Sequence, residues 1–142
     1  MSGKLLARLL DAARSGVYRA PEPGAVLEAA RGSRLRVARI ALAPGAGKAE
    51  MLAAFARALD FPDWFGGNWD ALEDCLTDLS WSDADGHVIL VEGAAQASGD
   101  DLSMLEDILA SAASFWAGRG RPFFAVFIGG REALPALYRE RS

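Results

Sequence analysis

Two runs, one almost continuously and one fully apolar, limit what this chain can fold into: HVILVEG (87–93) and FFAVFI (123–128). A strand with one wet face alternates apolar and polar residues, whereas a strand covered on both faces has no polar side to show. Val88–Val91 and Phe123–Ile128 show none, so both runs are expected as covered strands of a parallel sheet. Between them, Leu102–Ala117 carries Leu105, Ile108, Leu109, Ala112, Phe115 and Trp116 at helical spacing. That helix is long enough to be the crossover that parallel neighbours require.

The same reasoning extends towards the N-terminus. Leu35, Val37, Ile40 and Leu42, interleaved at first with Arg34, Arg36 and Arg39, predict a strand. A PGAGK turn then leads into a helix over 49–59 with Leu52, Phe55, Ala56 and Leu59 on its inner stripe. Asn68 is a suitable N-cap for a further helix over 69–79, in which Leu72, Cys75, Leu76 and Leu79 face the core. Strand, helix pair, strand, helix, strand is the order of a small layered α/β domain. Upstream, residues 3–14 predict a short amphipathic helix with Leu5, Leu6, Leu9 and Leu10 on one face. VYRAPEPG reads as a connector, 24–31 as a second short helix, and the tail from Gly129 as one or two helical turns. At 142 residues, with 51% hydrophobic and 24% charged side chains, the chain suits one globular domain with a proper core.

Charge is unevenly distributed. The net charge of −4 argues against non-specific nucleic-acid binding, but residues 1–48 hold nine Lys/Arg against three Asp/Glu, while residues 60–85 hold eight Asp/Glu and no base. The stretch FPDWFGGNWDALEDCLTDLSW (61–81) concentrates Asp63, Asp70, Glu73, Asp74 and Asp78 with three of the four tryptophans. Like charges four apart on a helix repel by a few tenths of a kcal/mol, so a row of Asp70, Asp74 and Asp78 works against stability. Asp70, near the helix start, is favoured by the dipole, whereas Asp78, near its end, is disfavoured. A solvated acidic face without a role is the plain explanation. The neighbouring rings of Trp64 and Phe65, just before a Gly-Gly-Asn turn, favour a surface that meets a strongly positive partner.

Enzyme chemistry has few candidates here. PGAGKAE lacks the spacing of a phosphate-binding P-loop, and Ala49 stands where that motif needs a hydroxyl. Cys75 lies in an apolar stripe, where a thiol is an inert hydrophobe rather than a partner for His87. One His and one Cys cannot assemble a zinc site, and the acidic row has no second cluster with which to hold Mg²⁺ or Ca²⁺. The single cysteine fits a reducing compartment, and no stretch of 18 apolar residues is present, so a cytoplasmic protein without a membrane span, cofactor or metal is expected.

The run Trp64-Phe65-Gly66-Gly67-Asn68-Trp69-Asp70-Ala71-Leu72-Glu73-Asp74-Cys75-Leu76-Thr77 resembles the signature of the barstar family, the small inhibitors of guanyl-preferring ribonucleases. The similarity in element order extends from about Leu35 to Ile128. The resemblance implies a three-layer α/β fold with a three-stranded parallel sheet flanked by helices. It implies a barstar-like domain over 34–130, an N-terminal helical extension (1–33) packed on it, and a C-terminal extension (131–142). It also implies that the acidic helix and the loop before it plug a ribonuclease active site. On this reading Asp70 and Asp74 match the inhibitory aspartates, Asp74 being the chief one, and Trp64 replaces a contact tyrosine. The chain departs from the family pattern late on the helix before the last strand, where Ser111–Gly118 carries no acid and the minimal inhibitor has a glutamate.

The expected partner surface is therefore Trp64, Phe65, Gly66, Gly67, Asn68, Asp70, Glu73, Asp74 and Asp78. The expected function is a non-enzymatic, antitoxin-like inhibitor of a basic, barnase-like ribonuclease, without direct nucleic-acid contact. The alternative is an interaction module of the same fold whose partner is not a ribonuclease.

Overall fold

The computed structural model describes residues 2–139. In chain order they form α1 (Ser2–Leu9), a 3-10 turn (Ala12–Arg14), β1 (Gly16–Ala20), α2 (Gly24–Ala30), β2 (Leu35–Ala41), α3 (Lys48–Ala58), α4 (Trp69–Leu76), β3 (Gly86–Glu92), a 3-10 turn (Ala94–Gln96), α5 (Gly99–Ala117) and β4 (Phe123–Ile128). The strands make one parallel sheet in the order β1-β4-β3-β2.

Both apolar runs are interior strands, as their lack of polar residues predicts. From Val88 to Val91, alternate side chains enter two separate cores. Ile89 and Val91, with Phe123, Ala125 and Phe127 of β4, pack under α3, α4 and α5 through Phe55, Leu72, Leu76, Leu105 and Leu109. Val88 and Leu90, with Phe124 and Val126, pack on the other face under α1 and α2 through Leu5, Leu9, Val26 and Ala29. The architecture is three-layer α/β.

The handedness rule for parallel crossovers accounts for this distribution. From β2 to β3 to β4 the chain steps across the sheet in one direction, so the connecting helices share one face. From β1 to β2 it steps back across the whole sheet, which sends α2 to the opposite face.

The sheet has four strands rather than the three expected, because the supposed connector contains β1. Val17–Ala20 pairs in register with Ala125–Ile128. Val17 turns to the α5 side and Tyr18 to the α1 side, where its ring stacks on Phe124 at 5.7 Å. An edge strand of five residues, followed at once by Pro21 and Pro23, carries only a faint strand signal in sequence. The C-terminal segment is not helical up to Arg139. Ala136 bridges to Arg19, whose backbone exchanges hydrogen bonds with Pro135 and Leu137, so β1 supplies a pairing edge that competes with a helical turn.

The junction after β3 has no room for a side chain. Gly93 adopts φ +86°, and a Cβ there would lie 2.2 Å from the Leu42 carbonyl oxygen. Gly120 has a similar φ of +72° but open space around it. Gly93→Ala is expected to cost roughly 2–4 kcal/mol and Gly120→Ala only about 1 kcal/mol, the plain penalty of left-handed backbone without Gly. Urea denaturation of the two variants measures the difference.

Candidate functional site

The segment 61–81 folds as a loop, the helix α4 and a turn. The loop reverses at Gly67, whose φ of +72° favours glycine and around which a Cβ would meet nothing within 4 Å. Asn68 then caps α4, its side-chain oxygen accepting the Ala71 N–H at 2.7 Å. Leu72, Cys75 and Leu76 are fully buried, which turns Asp70 and Asp74, one helical turn apart, out to solvent.

The helix ends at Leu76, three residues earlier than its apolar spacing predicts. Thr77 is the C-cap, with its hydroxyl bonded to the Glu73 carbonyl at 2.8 Å, and Leu79 adopts left-handed backbone with φ +52°. The Trp116 indole N–H, reaching across from α5, donates to the Leu76 carbonyl at 2.7 Å and satisfies an end that the helix leaves open. Asp78 therefore lies beyond the helix, exposed, in the closing turn.

The acids of the block separate by partner. Asp60 is ion-paired with Arg36 at 2.8 Å and Asp85 with Arg34 at 3.1 Å, both arginines belonging to β2 or the residue before it. Glu73 is half-buried and accepts from the Ser111 hydroxyl of α5 at 3.3 Å. Asp63, Asp70, Asp74, Asp78 and Asp83 are exposed, with no ion pair among the described residues. Asp63, directly before Trp64 in the same acidic run, is exposed too, although it is not among the residues of the expected partner surface.

Trp64 is 58% exposed, the most exposed large apolar side chain described. Its ring meets Trp81 edge-on at 6.2 Å, and Trp81 is itself fixed by its indole N–H to the Leu59 carbonyl at 2.9 Å. Phe65 is half-buried against the core, edge-on to Phe61 at 4.9 Å. The loop thus presents one ring and anchors the other. Gly66, Gly67 and Asn68 are exposed beside it. Trp81 and Ser111 escape sequence reasoning because each acts through a contact distant in the chain.

The one cysteine and the one histidine are inward. Burial pushes the Cys75 thiol up to about 11, with the Asp78 and Asp74 carboxylates adding to the rise, which is the opposite of an activated thiolate. His87 is 7% exposed, with Nε2 3.0 Å from the Ser82 hydroxyl. At the start of α3, the Glu50 carboxylate accepts the Gly47 N–H at 3.0 Å, so a side chain of the protein occupies the place a phosphate would take. Among the described residues, no group of three or more His, Cys, Asp or Glu is placed to hold a metal ion, and no helix is long and apolar enough to cross a membrane.

Burial, with the charges of Arg36 and Arg121, lowers the His87 pKa from 6.5 to about 4. Between those values the unfolded chain binds a proton that the native chain does not, so stability present at pH 7 is lost as the pH falls. His87→Gln is expected to remove about 2 kcal/mol of the stability difference between pH 7 and pH 5. Urea melts of both proteins at the two pH values test this.

No curated protein matches the chain. The family model described as Barstar (barnase inhibitor) matches residues 35–128, which span β2 to β4 and include the whole acidic segment. With well over half of its length matched, and with a parallel sheet and flanking helices in that order, the chain belongs to the Barstar family.

Proposed function

We propose that the chain is a non-enzymatic, antitoxin-type inhibitor that acts in the cytoplasm by covering the cationic active site of a guanyl-preferring ribonuclease. The observation that carries this reading is the division of the acids. The fold neutralises Asp60 and Asp85 with its own arginines and leaves Asp63, Asp70, Asp74, Asp78 and Asp83 exposed and without an ion pair among the described residues, in the same segment as a solvent-facing Trp64. A ribonuclease must hold phosphate with positive charge, so a row of fixed carboxylates imitates its substrate without offering a bond to cleave. Asp70 and Asp74 stand on a capped helix pinned at its far end by Trp116, so little ordering is needed on binding. Trp64 supplies apolar area, and the bare backbone at Gly66 and Gly67 lets the partner approach closely. Asp78 and Asp63 extend the field that steers encounter. Glu73, tied to Ser111, acts by charge more than by contact.

A second reading is an interaction module whose partner is not a ribonuclease. It is favoured by the end of α5, where Ser111–Gly118 lacks an acid and the Arg119 guanidinium lies 3.8 Å over the Phe115 ring. A positive group there suits a partner with a mixed rather than uniformly cationic face.

Inhibition of a barnase-like ribonuclease at low salt decides between them. The chain is expected to inhibit, with association slowing as salt is raised. Asp74→Ala is expected to weaken binding by roughly 2–5 kcal/mol, the range for truncating one partner of a buried charge pair, of which the barnase–barstar complex is itself a standard example. Absence of inhibition, together with Asp74-dependent capture of a non-nuclease protein, would establish the second reading.

A further inference from the structure

A cluster of arginines at the opposite end of the charge distribution has no part in the acidic surface. Arg8 on α1, Arg19 on β1, Pro21, Ala136, Tyr138 and Arg139 line a half-open cavity of about 470 Å³ at the β1 edge of the sheet. No residue of α4 or of the loop before it contributes.

Two of these guanidiniums are half-buried and held in place by backbone. Arg8 Nη1 donates to the Leu137 carbonyl at 2.9 Å, and Arg19 Nε donates to the Leu134 carbonyl at 2.8 Å. Each contact uses one of five donors, leaving the remainder of a rigid fork available. None of Arg8, Arg19 and Arg139 has a carboxylate within 4.0 Å among the described residues, unlike Arg34, Arg36, Arg39 and Arg131. Glu22, which does not line the cavity, accepts from the Gly24 N–H and from the Tyr138 hydroxyl rather than from an arginine. Three permanent positive charges around one cavity repel, and a fold requiring only the anchoring of its C-terminal segment needs no third arginine.

We propose that the Arg8–Arg19–Arg139 pocket binds the phosphate group of a small phosphate monoester. A phosphate monoester carries close to two negative charges at neutral pH and three acceptor oxygens, which match three guanidinium groups lining one cavity better than a single carboxylate does. The cavity is within the range of small-molecule sites and much larger than a phosphate ion. Pro21 and the Tyr138 ring provide a wall for the organic part of the ester. The site is independent of the proposed inhibitory surface.

Titration of the ¹⁵N-labelled full chain with phenyl phosphate, inorganic phosphate and sodium chloride at matched ionic strength tests the assignment. Saturable amide shifts centred on residues 8, 19 and 136–139 are expected with phenyl phosphate, weaker binding with inorganic phosphate, and no saturation with chloride. Arg139 makes no hydrogen bond or ion pair from its side chain among the described residues, so Arg139→Gln should leave the melting temperature of the free protein unchanged while raising the Kd for phenyl phosphate roughly five- to tenfold. Shifts that chloride reproduces, or a Kd that Arg139→Gln leaves unchanged, would overturn the site. Equal affinity for the two phosphates would overturn the ester.

Discussion

Strand β3 is the element on which the others depend. It pairs with β2 on one side and β4 on the other, and its side chains from Val88 to Val91 are buried on both faces. A strand so enclosed has no solvent to satisfy its backbone, so its hydrogen bonds must be made by in-register neighbours and its side chains covered by two layers of helix. Right-handed crossovers then divide the helices between the faces. With α4 packed into the core it shares with α5 and the sheet by Leu72 and Leu76, the outward direction of Asp70 and Asp74 is a geometric consequence of core packing.

The second determinant is the internal partition of charge. Arg34, Arg36 and Arg39 hold Asp85, Asp60 and Glu92, the last with two bonds of 2.8 and 3.0 Å. Exposed pairs of this kind contribute little to stability. Their larger effect is on the field, because they neutralise Asp60 and Asp85, the two ends of the acidic block, and leave the acids between them. At the β1 edge the opposite holds, since Arg8, Arg19 and Arg139 line one cavity with no carboxylate within 4.0 Å of any of them among the described residues. The asymmetry between the chain's basic and acidic halves survives folding as two separate surfaces.

Much of this is legible before folding. Unbroken apolar runs reveal β3 and β4, since only a doubly covered strand dispenses with polar residues. The Asn68 cap and the 3,4 spacing of Leu72, Cys75 and Leu76 locate α4 and its inner face. What is hidden depends on contacts remote in sequence. β1 looks like a connector because two prolines follow it and only Val17 and Tyr18 favour a strand; it becomes a strand because β4 offers an open edge. Asp78 sits at helical spacing yet lies off the helix, because Thr77 and the left-handed Leu79 close α4 early.

The sequence by itself determined the covered parallel strands, the capped acidic helix and the signature that places the chain in its family. These follow from local spacing, which is the same in any fold the chain adopts. Only the tertiary structure decided which acids stay free, which of the adjacent rings Trp64 and Phe65 is presented, and which arginines gather into a pocket. Each is settled by a partner many residues away: Arg36 for Asp60, Ser111 for Glu73, Trp81 for Trp64 and the Leu137 carbonyl for Arg8. Such pairings come into being only when the sheet closes its register and brings those segments within hydrogen-bonding reach.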